Sequence, residues 1–402
     1  MKVLFMSLTE IEDIDSQGIY TDLLKTFRDH GHEVVALAPR ERRTGLPTEL
    51  VELQGIQVLR IAVGNITKCG LIEKGISNLT IKSKFLKAMK HNIKNTKFDL
   101  VLYTTPPTTI YGLVETVKRA VGAKAYLLLK DIFPQNSLDL GMLSKNGVKG
   151  LIYRYFKHTE RKTYAAADWI GCMSRANRDY LIANEPEIDP DCIEVNPNSL
   201  IPRDMSHIDE SSFKERYGLP CNERIFVYGG SLGRPQGIDF LIEVLRLNEC
   251  NPVGYFLIAG NGTERAKLES YFSSANPKHA QLLPNLPRTE FDAMLIACNV
   301  GLVFLDHRFT IPNFPSRLLS YMQASLPIVA ATDQASDMGR LAEENGFGIW
   351  AESTDAEAFL AKCRELTDAS ISEMGARAHA YMVENYTSEK SYEIIMEHFD
   401  GK

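Results

Sequence analysis

Short apolar runs alternate with amphipathic segments along the whole chain. A strand-like run at residues 2–8 precedes a helical pattern at 19–30 and a second strand-like run at 33–38, which is the order of a βαβ unit. The alternation continues to residue 196 and starts again with a strand-like run at 224–228. Strands that alternate with helices indicate a parallel sheet covered on both faces. The pattern therefore predicts an α/β protein with two Rossmann-like, doubly wound parallel-sheet domains facing a central cleft.

The break between the two series predicts a domain boundary. Residues 196–212 contain two prolines and several polar side chains, a composition typical of a linker. We therefore expect an N-terminal domain at 1–200, a C-terminal domain at 201–385, and a helix at 386–402 that packs back on the N-terminal domain. Ligands of open α/β sheets bind beyond the carboxyl ends of the strands, so candidate site residues are expected there.

Charge and cysteine content exclude several classes of partner. The 402 residues include 45 Lys and Arg and 51 Asp and Glu, a net charge of −6, so nucleic acid is not an expected partner. Residues 1–200 have 27 basic and 23 acidic side chains, whereas 201–402 have 18 and 28. The chain shows neither a signal peptide nor an apolar run long enough to span a membrane, which predicts a cytoplasmic protein. Its seven cysteines form no C-x-x-C pair, and no metal cofactor is expected.

A glycine-rich turn, FVYGGSLGRPQG at residues 226–237, follows the first strand of the C-terminal series. Glycines let the backbone approach a ligand, and the N–H groups at the start of a helix attract anions. Arg234 lies within this turn, where its guanidinium can hold a phosphate with two N–H groups. The turn therefore predicts a phosphate site; the alternative is that its glycines only allow close packing of helix and strand.

A second motif, IPNFPSRLLSYM, occupies residues 311–322. Pro315 and Ser316 are residue types favoured at the start of a helix. Arg317 then falls in the first helical turn, where a positive charge opposes the helix dipole. A bound anion would explain an arginine there, and we expect Arg234 and Arg317 to bind one diphosphate. The alternative is that Arg317 is exposed and merely tolerated.

Together these stretches resemble the retaining glycosyltransferases of family 4, which have the GT-B architecture, and in particular the capsule and O-antigen subgroup that includes N-acetylfucosamine transferases. The resemblance extends from about residue 193 to 350, through segments 228–243, 258–262 and 314–329. The N-terminal half matches more loosely, through short segments at Gly18, 31–34, 130–134, 173–174 and 197–198.

The sequence departs from the family pattern at four positions. Ser231 and Gln236 stand where the family has an Arg and a Lys around the glycine turn, and Arg234 can substitute for one of them. Pro312 and Ser320 stand where the family has two glutamates that contact the donor sugar and the ribose. These differences imply altered handling of the donor, with Asn313 as a substitute contact to the sugar.

The resemblance implies metal-independent transfer of a sugar from a nucleotide-diphosphate sugar, most often a UDP-sugar, to a hydroxyl group with retention of configuration. Since charge develops on the departing diphosphate, fixed cations and N–H groups would stabilise it. Candidate catalytic residues are Arg234, Arg317 and Asp131. Candidate donor-binding residues are Gly229, Gly230, Ser231, Gln236, Asn313, Pro315, Ser316 and Ser320. Candidate acceptor-binding residues are Gly18 and Lys130; the alternative is that Lys130 or Asp131 forms a structural ion pair.

Two basic amphipathic segments predict contact with an anionic membrane. In residues 79–94, Ile81, Phe85, Met89 and Ile93 share one helix face and are surrounded by lysines, the last of them Lys94. Residues 147–162 combine apolar and basic side chains in the same way. A core-facing helix with a solvated basic side is the alternative for each. Membrane contact would suit a lipid-diphosphate-linked acceptor at the inner face of the cell membrane.

Two other functions are compatible with the same fold. The first is a non-catalytic GT-B partner subunit that has lost the family glutamates. The second is a sugar-nucleotide epimerase of the non-hydrolysing type, which would need carboxylates and histidines in its cleft. The nine histidines form no such cluster at the motif positions, which disfavours the epimerase.

Overall fold

A computed structural model describes residues 1–66, 71–93, 97–106 and 108–399. Lys94, named in the sequence analysis, lies outside these residues. The chain divides into two compact units, of which the first contains Met1–Ile201 together with the C-terminal segment from Ser388, and the second contains Pro202–Thr387.

In the described part of the first unit, eight strands form one sheet in the order β3-β4-β2-β1-β5-β6-β7-β8. All neighbours are parallel except β3 and β4, which are antiparallel. The strands are β1 (Lys2–Met6), β2 (Glu33–Glu41), β3 (Glu49–Leu53), β4 (Ile56–Val63), β5 (Leu100–Thr104), β6 (Lys124–Leu129), β7 (Trp169–Cys172) and β8 (Ile193–Val195). The helices between them are α1 (Ile19–Asp29), α2 (Leu71–Asn92), α3 (Tyr111–Val121), α4 (Gln135–Asp139), α5 (Gly147–Ala166) and α6 (Arg175–Asn184).

The second unit has a six-stranded, fully parallel sheet in the order β11-β10-β9-β12-β13-β14. Its strands are β9 (Ile225–Ser231), β10 (Tyr255–Asn261), β11 (Ala280–Leu283), β12 (Val300–Phe304), β13 (Ile328–Thr332) and β14 (Gly348–Glu352). Its helices are α7 (Glu210–Tyr217), α8 (Ile238–Cys250), α9 (Arg265–Ala275), α10 (Arg288–Ile296), α11 (Arg317–Gln323), α12 (Met338–Glu344), α13 (Ala356–Glu365) and α14 (Asp368–Asn385).

Both faces of the first sheet are buried. Along β1, Leu4 and Met6 belong to one apolar cluster, whereas Val3 and Phe5 belong to a second. Successive side chains of a strand point to opposite faces, so each cluster covers one face of the sheet. This arrangement confirms the predicted α/β fold with two parallel, doubly wound sheets.

The last helix, α15 (Ser388–Met396), packs on α1. Thr26 Oγ1 donates a hydrogen bond of 2.8 Å to Ser388 Oγ, and the ring of Tyr392 meets that of Phe27 edge-on at 4.9 Å. Burying this apolar contact and satisfying both hydroxyls ties the end of the chain to the first unit.

The apolar stripe of α2 faces the protein core. Ile81, Phe85, Met89 and Ile93 are each at most 5% exposed and belong to one core cluster. The expectation that this stripe contacts a membrane is wrong, because burying it under the sheet removes the same apolar area from water. Among the described residues, no helix is both long and apolar enough to span a bilayer.

Candidate active site

One hydrogen bond joins the carboxyl end of β9 to helix α11, and a second lies within β9 itself. The N–H of Gly229 donates to the hydroxyl of Tyr321 at 2.9 Å, and the hydroxyl of Tyr228 donates to the carbonyl of Ser231 at 2.7 Å. Both tyrosine rings are fully buried. The glycine-rich turn is therefore held in one conformation against the helix that begins at Arg317.

The structure brings Arg317 to the glycine-rich turn. Its guanidinium carbon lies 4.3 Å from the ring centroid of Tyr228. A Cβ built on Gly230, where φ is +132°, would lie 3.5 Å from that carbon. Nη1 of Arg317 is buried and has no hydrogen-bond partner. Since buried polar groups are nearly always paired, this nitrogen is an unused hydrogen-bond donor beside the turn.

Two other glycines of this region serve packing. A Cβ on Gly229 would lie 2.6 Å from the ring of Phe291, and one on Gly260 would lie 1.8 Å from the carbonyl oxygen of Gly230. Only glycine allows this close approach of strands and helix. The packing explanation therefore applies to Gly229, whereas Gly230 faces the guanidinium of Arg317.

Ser231 and Gln236 occupy different environments in the turn. Ser231 is exposed, whereas the side-chain oxygen of Gln236 accepts the N–H of Gly233 at 3.0 Å. Gln236 thus shapes the turn. At the next position Gly237 has φ +57°, and a Cβ there would lie 3.4 Å from the Cα of Asp306.

Asp306 and Arg308 adjoin this turn and were not identified from the sequence. The N–H of Asp306 donates to the carbonyl of Pro235 at 2.9 Å. Arg308 binds the carboxylate of Asp306 with two N–H groups, at 2.8 and 2.7 Å, which lowers the pKa of Asp306. The loop after β12 thereby supports the turn, and no motif in the sequence signals it.

Arg234 is engaged by a carboxylate. Its side chain is half exposed, and Nε lies 3.4 Å from Oε1 of Glu264. The other carboxylate oxygen of Glu264 lies 2.7 Å from Nζ of Lys267. Arg234 must therefore exchange Glu264 for phosphate if it binds the donor.

Replacing Glu264 with glutamine should tighten UDP binding by up to about fivefold. The neutral amide removes a negative charge that competes with phosphate for Arg234, and a partly exposed ion pair of this kind contributes up to about 1 kcal/mol. Calorimetric titration with UDP measures the change, with Glu269→Gln on the same helix as control. Unchanged or weaker UDP binding by Glu264→Gln would mean that Arg234 does not contact the phosphates.

The segment before α11 is ordered by a buried polar network. The N–H of Asn313 donates to Ser336 Oγ at 2.9 Å, and Ser336 Oγ donates to Asp333 at 3.0 Å. Burial raises the pKa of the Asp333 carboxyl. The side-chain amide of Asn313 donates to the carbonyl of Ile311 at 3.2 Å. These contacts fix the backbone at Asn313, and sequence patterns gave no indication of Asp333 or Ser336.

Helix α11 begins at Arg317, as the sequence predicted, but Ser316 does not cap it. Ser316 is exposed, has helical dihedral angles and makes no side-chain capping bond. The carbonyl of Pro315, the residue before Ser316, accepts a hydrogen bond of 3.2 Å from the N–H of Leu318. Pro312 is buried and Ser320 half-buried, so neither position presents a carboxylate.

Lys130 and Asp131 follow β6 at the carboxyl end of the first sheet. The N–H of Lys130 donates to Thr105 Oγ1 at 3.1 Å, and the carboxylate of Asp131 accepts two contacts from Nδ2 of Asn136, at 2.9 and 3.1 Å. Burial lowers the pKa of Lys130 to about 7 and raises that of Asp131 to about 6. Among the described residues, neither Lys130 nor Asp131 forms an ion pair, so the structural ion-pair alternative is wrong.

Asn136 is the residue of this group that the sequence did not identify. Its Oδ1 is buried and accepts no hydrogen bond in the described part of the chain. Asn136 lies two residues after the 130–134 segment that resembles the family, and this position is the signal by which the sequence could have identified it. A carboxylate and a free amide oxygen side by side suit the hydroxyl groups of a sugar.

Replacing Lys130 with methionine should stabilise the protein while weakening its use of an acceptor. In the folded protein the pKa of Lys130 is lowered, so the charged form of Lys130 reduces the free energy of unfolding below about pH 7. This loss becomes smaller as the pH rises from about 7 towards 10, because the folded protein then holds Lys130 in its neutral form. We expect the thermal midpoint to rise by about 5 °C at pH 6 and progressively less at higher pH. An equal rise at pH 6 and pH 9, or no rise, would contradict the buried cation; Lys124→Met is the control.

Gly18 precedes α1 with extended backbone, φ −169°, which any residue can adopt. Its carbonyl accepts the N–H of Asp22 at 2.9 Å, and a Cβ would lie 3.1 Å from Thr21 Oγ1. Asp22 is fully buried, accepts the N–H of Ile201 at 2.8 Å and pairs with Lys25 at 2.8 Å. Position 18 therefore requires a small residue more than it requires the dihedral freedom of glycine.

The D-x-D triplet at residues 189–191 forms an exposed turn in which Asp189 accepts the N–H of Asp191 at 3.1 Å. Across the residues that the structure describes, no group of three or more His, Cys, Asp and Glu side chains is arranged to hold a metal ion.

Comparison with known proteins identifies the domain and relates the whole chain to glycosyltransferases. Residues 209–385 match the family model described as Glycosyl transferases group 1. The chain is 25% identical over 327 residues, 80% of its length and 79% of the relative's, to "Probable glycosyltransferase WbjE" of Pseudomonas aeruginosa. It is 24% identical over 273 residues, 64% of its length and 66% of the relative's, to WcaI of Escherichia coli K12, named as a colanic acid biosynthesis glycosyl transferase.

Solved structures share the fold over nearly the full length. Sucrose-phosphate synthase from Thermosynechococcus elongatus has a TM-score of 0.75 at 14% identity, covering 99% of this chain and 98% of its own. HepE of Anabaena, in complex with UDP and glucose, has a TM-score of 0.71 at 15% identity and full coverage of both chains. The matched domain, the names of the relatives and the shared architecture together identify the chain as a glycosyltransferase with the GT-B fold.

Proposed function

We propose that this glycosyltransferase transfers a sugar from a UDP-sugar to a hydroxyl group of a glycan or lipid-linked oligosaccharide, with retention of configuration. The observation that carries the proposal is the buried, unpaired Nη1 of Arg317 beside Gly230. A desolvated guanidinium needs an anion, and the diphosphate of a nucleotide-sugar supplies one. HepE, whose fold is similar, was solved with UDP and glucose, which supports uracil as the base.

The pathway that we propose is the assembly of a surface polysaccharide, of the capsule or O-antigen kind. The relative WcaI, named for colanic acid biosynthesis, supports a role of this kind. The motifs from residue 226 to 322 support membership of family 4 and of its N-acetylfucosamine transferase-like subgroup. In this proposal the second unit binds the donor and the first unit binds the acceptor.

Arg317 and the turn at Gly230 and Ser231 would stabilise the leaving diphosphate. As the bond between sugar and diphosphate breaks, negative charge grows on the phosphate oxygens. The guanidinium of Arg317, stacked on Tyr228, is already in place and needs no reorganisation. Arg234, released from Glu264, would add a second positive charge, while Asn313, Pro315, Ser316 and Ser320 complete the donor site without the family glutamates.

Asp131 and Lys130 would serve the acceptor. In this proposal the acceptor hydroxyl bonds to the sugar carbon that the diphosphate leaves, and its proton passes to Asp131. Asn136, which fixes the Asp131 carboxylate through Nδ2, offers its free Oδ1 to a second hydroxyl. Lys130 suits an anionic acceptor such as a lipid diphosphate at the inner face of the cell membrane, and Gly18 is the other proposed acceptor-binding residue.

A binding panel followed by product analysis tests this function. UDP at about 100 times its dissociation constant should stabilise the protein by about 2.7 kcal/mol, and GDP should have less effect. With the UDP-sugar that binds, NMR of the product should show the donor's anomeric configuration. No stabilisation by UDP, or an inverted product, would refute the proposal. Binding without hydrolysis or transfer would favour the non-catalytic subunit, and interconversion of two UDP-sugars would favour the epimerase.

A further inference from the structure

Exposed apolar side chains concentrate on one helix of the first unit. Among the described residues nine large apolar side chains are exposed, and five of them lie between positions 142 and 155. Those on α5 are Val148, Leu151, Ile152 and Tyr155, with exposures of 75%, 60%, 42% and 47%. Single exposed apolar residues are ordinary, but a cluster of this size marks an interaction surface.

These four side chains share one face of α5. Their spacing of three, four and seven residues places them side by side along the helix. Met142, 40% exposed, lies in the loop that leads into the helix. We call these five residues the α5 outer face.

The opposite side of α5 is anchored in the protein. Tyr153 donates to Oε1 of Gln135 at 3.1 Å, and the ring of Phe156 meets that of Phe133 edge-on at 4.8 Å. Thr163 and Tyr164 are buried near the end of the helix. The helix is therefore fixed, and its outer face is free to contact a partner without rearrangement.

Every exposed charged side chain between positions 140 and 162 is positive. Lys145, Lys149, Arg154 and Lys162 are exposed. The one acidic residue between positions 140 and 162 is Glu160, which is 1% exposed, pairs with Lys157 and accepts the hydroxyl of Tyr164. An apolar stripe with a cationic border and no exposed acid matches an anionic lipid surface.

We propose that the α5 outer face docks this protein on an anionic membrane, with the helix lying in the plane of the interface. A second copy of the chain is a poorer occupant, because pairing two such faces would bring like charges together. Docking would bring the protein to the lipid-linked acceptor of the proposed function, and only the biological purpose of the docking rests on that function. The docking itself depends on α5 alone.

Flotation with lipid vesicles tests the docking without donor or acceptor. The full chain should float with vesicles of phosphatidylcholine and phosphatidylglycerol at low salt and remain unbound with phosphatidylcholine alone. The double variant Val148→Glu/Leu151→Glu should lose flotation, and Lys149→Gln/Arg154→Gln should weaken it about thirtyfold. Val383→Glu, at an exposed apolar position on α14, is the control and should float like the parent protein.

Three results would overturn the docking. The first is that the parent protein does not float, and the second is that Val148→Glu/Leu151→Glu floats as well as the parent protein. The third is that the parent protein does not float but forms a concentration-dependent dimer that Val148→Glu/Leu151→Glu abolishes. UDP calorimetry in vesicle-free buffer, run on each variant, confirms folding and separates the two proposals. A variant that loses flotation but still binds UDP has lost only the membrane contact of α5. If the parent protein floats but does not bind UDP, the proposed function is refuted and the docking is not.

Discussion

The variant Arg317→Ala is expected to transfer sugar about 100 to 1,000 times more slowly than the parent protein. Arg317 is the cation that the fold aims at Gly230, with Nη1 buried and unpaired. Removing it withdraws preorganised positive charge from the leaving diphosphate, where charge develops during the reaction. The affinity for UDP should fall by about tenfold or more, since hydrogen bonds to charged groups contribute about 1.5–3 kcal/mol.

Two further variants show whether the loss is specific to the site. Lysine keeps the charge but not the paired N–H groups of arginine, so Arg317→Lys should recover part of the rate. Arg216 also lies over a tyrosine, Tyr217, at 5.6 Å, and pairs with Glu290, so Arg216→Ala is a matched control. Calorimetry with UDP and steady-state rates measure both effects. If Arg317→Ala kept a rate within threefold of the parent, Arg317 would not contact the diphosphate.

The fold could be predicted from the sequence because its signals are local. The strand-like run 33–38 falls within β2, the run 224–228 overlaps β9, and the polar break near 202 separates two apolar cores. Burial on both faces makes each central strand a continuous apolar run. That signal is visible without any knowledge of how the strands are ordered.

The surroundings of Arg317 were only partly predictable. The Pro-Ser pair before Arg317 predicted that this residue lies at the start of α11. Tyr321 could also have been identified, because it follows Arg317 by four residues and therefore lies on the same face of the helix. The stacking on Tyr228 depends on the order β9-β12 in the sheet and on where α11 crosses it. Such contacts between distant segments leave no mark in a single sequence.

The two basic helices illustrate the same limit. Helix α2 and helix α5 have similar mixtures of apolar and basic residues, yet the apolar stripe of α2 is buried while that of α5 is exposed. Periodicity shows that a helix has an apolar face but not what covers it. Only the packing of α2 beneath the first sheet separated the two cases.

The variant Asp131→Asn is expected to lower the transfer rate by about 100-fold to 10,000-fold, the range for removal of a general base. Burial raises the pKa of Asp131 to about 6, so a useful fraction of the enzyme can accept a proton near neutral pH. In the parent protein the rate should rise with pH through about 6, as Asp131 loses its proton. In Asp131→Asn that limb of the pH profile should vanish, which a merely structural role would not cause.

The neighbour of Asp131 provides the complementary test. The hydrogen bonds from Nδ2 of Asn136 lower the pKa of Asp131, against the rise caused by burial. In Asn136→Ala the carboxylate loses this support, so its pKa should increase and the acidic limb should move to higher pH. Asp139→Asn, on the same short helix, should leave the limb unchanged. An unshifted limb in Asn136→Ala, or more than a tenth of the parent rate in Asp131→Asn, would mean that the leaving phosphate takes the acceptor's proton instead.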